Sequence, residues 1–163
     1  MLTLYTRERG KVRAIAKGAR KIRSRKAGHL EPFTRVTLQL ARGHDLLIVT
    51  QADTLDAYLP IHENLVRTSH AAYVVELLDR FTYEDDSENY SIFRLLTEAL
   101  ARIEKETDPW LAIRYYEVRL LDLLGYRPHW FECANCSREI KAEQQYFSAT
   151  QGGVLCPSCG AGL

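Results

Sequence analysis

The chain has 163 residues, room for one ordinary domain or two small ones with an appendage, and no stretch reaches the roughly twenty apolar residues of a membrane span. Its formal net charge of +1 conceals a division: residues 1–42 hold twelve of the 22 Lys/Arg and two of the 21 Asp/Glu, a balance of +10, which leaves the rest at −9. A basic head on an acidic body fits a polyanion partner, nucleic acid first among them, or a solvated basic segment that contacts the protein's own acidic part.

The first fifty residues carry β signals. Leu2-Thr3-Leu4-Tyr5-Thr6 is a short run of β-formers, and Arg9-Gly10 makes a turn. Lys11 to Gly18 then alternates long basic with small apolar residues, as a half-buried strand does. Ala19 to Lys26 is a cationic run with Ile22 its one sizeable apolar side chain, and reads as an exposed loop. Two more strands are predicted, Thr34–Leu40 and Leu46–Gln51, joined by a hairpin loop at Arg42-Gly43-His44-Asp45. Short strands with Gly-containing turns predict a small β-barrel.

From Ile61 the period is helical. Leu65, Ala72, Val75 and Leu78, with Tyr73, Leu77 and Phe81, form the apolar face of the first helix, and Glu84-Asp85-Asp86-Ser87 breaks it. Ile92, Leu95, Leu96, Ala99, Leu100 and Ile103 form the face of the second. The third has Asp108 as N-cap, Pro109 at its first position, Ile113, Tyr116, Leu120 and Leu124 as its stripe, and Gly125 and Pro128 as its stop. Three such helices bury one another as a bundle.

All four cysteines lie near the end, as Cys133-Ala-Asn-Cys136 and Cys156-Pro-Ser-Cys159. Two Cys-x-x-Cys turns complete a tetrahedron around Zn²⁺ with no open position, which makes a structural rather than a catalytic site. Iron in a rubredoxin-like site is the competing metal. Disulfides need an oxidising compartment, and Met1 to Thr6 contains no signal-peptide apolar core, so a cytoplasmic location is expected. A redox Cys-x-x-Cys would be single and would follow a strand in a βαβ unit. Between the pairs, Gln145-Tyr146-Phe147-Ser148 and Gly152-Gly153-Val154-Leu155 predict a hairpin whose folding depends on the metal.

Catalytic patterns fail on inspection. His29-Leu30-Glu31 matches half of a zinc-deaminase signature, but its Cys-x-x-Cys half would be a hundred residues away and already paired. His62-Glu63-Asn64-Leu65-Val66 begins as H-E-x-x-H and ends in Val. Neither a nucleophile elbow nor a phosphate-binding Gly-x-x-x-x-Gly-Lys occurs, so no enzymatic activity is expected. The positive chemistry is electrostatic. Arg7, Arg9, Lys11, Arg13 and Lys17 on a barrel face, with Arg20, Lys21, Arg23, Arg25 and Lys26 in the loop, would track a phosphate backbone. About six phosphates neutralised would give a log–log salt slope near −4 for single strands. Tyr5 and Phe33 are the aromatics placed to stack on bases or to fill the barrel core, the latter favoured for Phe33.

The order of these features resembles a known family. Leu4 to Lys11, Ala16-Lys17-Gly18-Ala19-Arg20, Ser24-Arg25 and Leu30-Glu31-Pro32-Phe33 resemble the N-terminal domain of the bacterial recombination mediator RecO. Leu123 to Pro128, the two cysteine pairs, Phe147-Ser148 and Gly152-Gly153 resemble its C-terminal domain. The resemblance implies an α+β chain: an OB-fold-like barrel over 1–58, a helical domain over 59–130 and a zinc-ribbon-like four-cysteine module over 131–163. It further implies a role in RecF-pathway repair: binding single-stranded (or duplex) DNA, annealing strands, and loading recombinase with RecR and the C-terminal tail of the single-stranded DNA-binding protein SSB, in association with the nucleoid. Family members begin about one strand earlier and continue through further helices, so the barrel is expected to lack its first strand and the helical domain to be cut short after 163. An RNA-binding barrel with a zinc ribbon, or a protein-interaction scaffold with solvated cations, are the alternatives.

Overall fold

Leu2–Thr6 (β1) and Gly10–Ile15 (β2) pair antiparallel, with Leu2 opposite Ala14 and Leu4 opposite Val12. The turn between them is held by Thr6, whose hydroxyl donates to Gly10 O at 3.1 Å and accepts from Arg9 N at 3.1 Å. The computed structural model describes residues 1–19, Lys21, Ser24, 26–84 and 89–162, and divides into a unit of residues 1–117 and another of 118–163. The expected loop residue Ile22 and the helix break at Asp85, Asp86 and Ser87 lie outside the described residues.

In the first unit Arg35–Arg42 (β3) and Leu47–Asp56 (β4) form a long hairpin, and β4 also pairs parallel with β2, Ala14 beside Leu47. The strand order β1-β2-β4-β3, with its one parallel pair, is that of an OB-type Greek-key sheet, and β1 and β3 are its edges. One face closes on Ala14, Val49 and Ala52, ringed by Leu2, Leu4, Leu38, Leu40 and Leu47. β4 runs five residues past the predicted Gln51, where Ala52 to Asp56 pair with Leu38 back to Arg35, and a bulge opposite Gln39 and Leu40 puts Thr50 out of register. Val49 and Ala52, three apart, therefore face the same core, which a strict two-residue alternation does not anticipate.

Leu59–Glu63 (α1) and Leu65–Phe81 (α2) are separated at Asn64, whose side-chain oxygen accepts from Val66 N at 3.0 Å and Arg67 N at 3.1 Å. α2 buries Ala71, Val74 and Leu78. Of the predicted face Leu78 is buried and Val75 and Leu77 are half-buried, whereas Leu65 is 82% exposed and Ala72, Tyr73 and Phe81 face outward, the buried side running instead through Ala71 and Val74. Apolar and polar residues are intermixed around α2, so its sequence marks no single stripe. Asn89–Lys105 (α3), with charged residues confined to one side, buries all six predicted residues from Ile92 to Ile103.

In Trp110–Leu123 (α4), Asp108 Oδ1 accepts from Trp110 N at 3.0 Å, and Ile113, Tyr116 and Leu120 are buried as expected. Gly125, at φ +83°, ends it: Tyr126 N donates to Leu121 O at 2.8 Å and Gly125 N to Asp122 O at 3.1 Å, a Schellman stop. The Tyr116 hydroxyl donates to Val74 O at 3.2 Å and so ties α4 to α2; burial pushes its pKa well above the ordinary phenol value.

The second unit is built on the predicted hairpin, Tyr146–Ser148 (β5) with Gly153–Leu155 (β6), followed by the short helix Pro157–Gly160 (α5). His129 runs along β6, donating to Gly152 O at 2.9 Å and accepting from Val154 N at 2.8 Å. Its backbone lies so close that a Cβ at Gly153 would fall 2.6 Å from His129 O. The unit's core is Leu155 with Cys133 and Cys156, packed by Ala134 and Ile140.

Candidate metal centre and basic surface

Each cysteine pair sits on a tight backbone turn. Ser137 N donates to Cys133 O at 2.8 Å, and Cys159 N and Gly160 N donate to Cys156 O at 3.0 and 2.9 Å. Ala134 N bonds to Val154 O at 2.8 Å, which docks the first turn on β6 and brings it to the second. The four Sγ atoms lie within 4.8 Å of one another, and Cys136 Sγ stands 3.8 Å from Cys156 Sγ. A disulfide would need about 2.05 Å, whereas a tetrahedron with metal–sulfur bonds of about 2.3 Å has edges of about 3.8 Å. The cysteines are free, and their donor set and spacing fit a metal ion with no position left open.

The surroundings favour thiolates unevenly. Cys156 N, 3.4 Å from Cys133 Sγ, lowers that thiol to about 6, further helped by the Cys136 and Asn135 amides and opposed by desolvation. Ser158, 3.4 Å from Cys156 Sγ, lowers Cys156 in the same sense. For Cys159 the Asn135 side chain pulls downward, but the sulfurs of Cys156 and Cys136 outweigh it and push the thiol up to about 11. Four sulfurs this close share their protons, and a dication would release the remaining ones.

The basic residues of the first unit divide by what they touch. Arg7, Arg9, Lys17 and Lys21 are exposed, with the Arg7 guanidinium 5.0 Å from the centre of the Tyr90 ring. Lys11 is not available: its ammonium donates to Asp79 O at 2.7 Å and Thr82 O at 3.3 Å, meets Asp79 Oδ1 at 2.6 Å, and its side chain is 12% exposed. It satisfies carbonyls that the end of α2 leaves without helical partners, a structural role in place of the expected phosphate contact. Arg13 pairs with Glu84 at 2.9 Å, and Lys26 donates to Val49 O at 2.9 Å on β4. These three predicted cations are thus engaged within the protein, Lys11 and Arg13 because the β2 face carrying them meets the end of α2 and the residues after it, and Lys26 because it reaches a carbonyl of β4. Arg20, Arg23 and Arg25 lie outside the described residues.

Neither aromatic offers an open platform. Phe33 is half-buried with its ring against His62, and Tyr5 is half-buried on β1. His29 Nδ1 is 2.8 Å from Thr54 Oγ1, a local contact and not a metal ligand set. No signal in the sequence marked Asp79 and Thr82 as partners of Lys11, since the contact spans some seventy residues.

An OB-type sheet packed with a helical bundle, followed by a four-cysteine cluster, defines an α+β protein of the class that joins an OB-type domain to a module whose cysteines could hold a metal ion. Residues 1–58 match the family model of the Recombination protein O N terminal, and residues 62–162 that of the Recombination protein O C terminal. The chain belongs to the RecO family. It is 38% identical over 159 residues to the DNA repair protein RecO of Dehalococcoides mccartyi, covering 98% of this chain and 62% of the relative. With the protein of the same name from Roseiflexus sp. it shares 43% over 150 residues, 92% of this chain and 53% of the relative. The chain therefore spans between half and two-thirds of the length of these curated relatives. Among the described residues no helix is long and apolar enough to cross a membrane.

Proposed function

We propose that this chain serves DNA repair and recombination as a non-catalytic mediator that holds single-stranded DNA on the basic side of its OB-type sheet. What supports the reading most is that exposed cations stand at both ends of β2 in a RecO-family sheet, Arg7 and Arg9 on the β1–β2 turn and Lys17 and Lys21 on the segment after it. Their guanidinium and ammonium groups would pair with successive phosphates, displacing condensed counterions; sequence-specific readout has no part in it. Arg20, Arg23 and Arg25 would extend the track. The four cysteines, Cys133, Cys136, Cys156 and Cys159, would hold Zn²⁺ as a structural ion that folds the second unit and performs no chemistry. The helices and the metal-bound module would engage RecR and the tail of SSB, at the nucleoid. We assign the domains as 1–58, 59–130 and 131–163 on the same reading.

The experiment is a salt titration of binding to fluorescent oligo(dT), with metal content measured on the same sample and complementary strands then offered for annealing. Contact with about four phosphates predicts a log–log slope near −3. An RNA of the same sequence, bound far more tightly, would favour an RNA-binding barrel. Binding that ignores salt, or none by the folded protein, would end the proposal.

A further inference from the structure

The β1–β2 turn, the start of β2 and the β3–β4 turn enclose a cleft of about 450 Å³ lined by Arg9, Lys11, Arg13, Arg42, His44 and Glu84. Parallel pairing of β2 with β4 is what assembles it, since that pairing sets the β3–β4 turn beside the N-terminal hairpin. Gly43 keeps the turn tight: a Cβ there would lie 2.3 Å from Leu46 O. Two of the lining groups are already occupied, Lys11 by the end of α2 and His44 by Asp45, 2.7 Å away. Arg9 and Arg42 are exposed, and among the described residues neither guanidinium has an acidic partner.

Arg13 stands between these cases. Its Nε is 2.9 Å from Glu84 Oε1, and the backbone of Glu84 bridges to Gly10 and Lys11, so the carboxylate is presented along β2 where an anion would enter. Both side chains are about half exposed, at 52% and 49%. An ion pair that open to water contributes about 0–1 kcal/mol, so a phosphate can displace it. Lys11, 12% exposed and bonded to two carbonyls, cannot be displaced so easily.

We infer that this cleft is a phosphodiester subsite formed by Arg9, Arg13 and Arg42, and that the Glu84 carboxylate is its internal occupant, exchanged for a backbone phosphate when a strand binds. This rests on the strand-binding reading above and adds to it a cation the sequence did not single out, Arg42, and an internal competitor. Glu84 lowers affinity for every polyanion alike and sets a threshold that short or weakly charged ligands do not pass.

The test is oligo(dT) binding by fluorescence anisotropy across a salt series for the whole chain, each variant first shown to keep its urea midpoint. Glu84→Gln removes the competitor of Arg13 and is expected to tighten binding about two- to five-fold at an unchanged slope, because Arg13 meets a phosphate in both proteins. Glu63→Gln, an exposed acid on α1 outside the cleft, controls for the general loss of negative charge and should move affinity less and leave the slope unchanged. The Glu84→Gln gain should vanish on an Arg13→Ala background, and Arg42→Ala should weaken binding and flatten the slope by about 0.7. If Glu84→Gln tightens binding no more than Glu63→Gln does, or its gain survives Arg13→Ala, the inference is overturned, while a wild-type slope near −3, that of the four exposed cations without the Arg13 and Arg42 that would bring it to about −4, still stands. A folded wild-type protein with no salt-dependent binding overturns both.

Discussion

Lys11→Met separates a structural cation from a phosphate-binding one. Methionine keeps much of the lysine stem's length and removes the charge, so the carbonyls of Asp79 and Thr82 at the end of α2 lose their donor. A hydrogen bond to a charged group is worth about 1.5–3 kcal/mol net, and a cation at a helix C-terminus adds about 0.3–1 kcal/mol. The ion pair with Asp79 adds less, because that carboxylate is 54% exposed and rehydrates when left alone. The expected loss is therefore about 2–3 kcal/mol, a drop in urea midpoint of about 1–2 M for a unit with m near 1.5–2 kcal/mol/M. Trp110, read in a Trp130→Phe background, reports the first unit; Trp130 stacks on Phe147 in the second and would confuse the signal. The oligo(dT) salt slope should not change. A stability loss under about 0.5 kcal/mol together with a slope flattened by about 0.7 would show that Lys11 holds phosphate, and the structural assignment would fail.

Three further outcomes concern the interior and the cysteine cluster. Chelation should melt the segment 131–163 and leave the first unit folded; an unchanged circular-dichroism melt after verified metal removal contradicts this. Metal binding near pH 7.5 should release protons, because Cys133, lowered to about 6, enters as thiolate whereas Cys159, raised to about 11, must give up its proton. Calorimetry in two buffers of different ionisation enthalpy counts them, and the count should fall as pH rises toward 11 and grow as pH falls toward 6. Tyr116→Phe removes the donor to Val74 O and should cost about 1–2 kcal/mol of first-unit stability with no effect on the salt slope, measured by the same urea titration.

Where a signal is local the sequence showed it plainly. The six buried residues of α3 follow from spacing alone, since its polar side is charged and its apolar side continuous. The α4 cap at Asp108 and stop at Gly125, and both cysteine turns, are fixed within four or five residues by hydrogen-bond geometry. Where partners are distant in the chain it did not. The buried side of α2 is chosen by what packs on Ala71 and Val74, and the end of β4 by its pairing with β3 back to Arg35. The partners of Lys11 and Arg13, in residues 79–84, are distant in the same way.

That distance also explains why net charge overstated the basic head. Its cations and the acids of the body were counted as separate populations, yet the fold pairs Lys11 with Asp79, Arg13 with Glu84 and Arg35 with Asp56, at 2.6, 2.9 and 2.5 Å. Strand cations are engaged in this way because a strand's two faces meet other elements, whereas turn residues meet water. The exposed cations without an acidic partner among the described residues of the head accordingly lie on turns and element ends, at Arg7, Arg9, Lys17, Lys21 and Arg42. A flexible polyanion would follow those turns rather than a strand face, and Arg13 with Glu84, 52% and 49% exposed, is the most open of these three pairs and the one a phosphate would replace most readily.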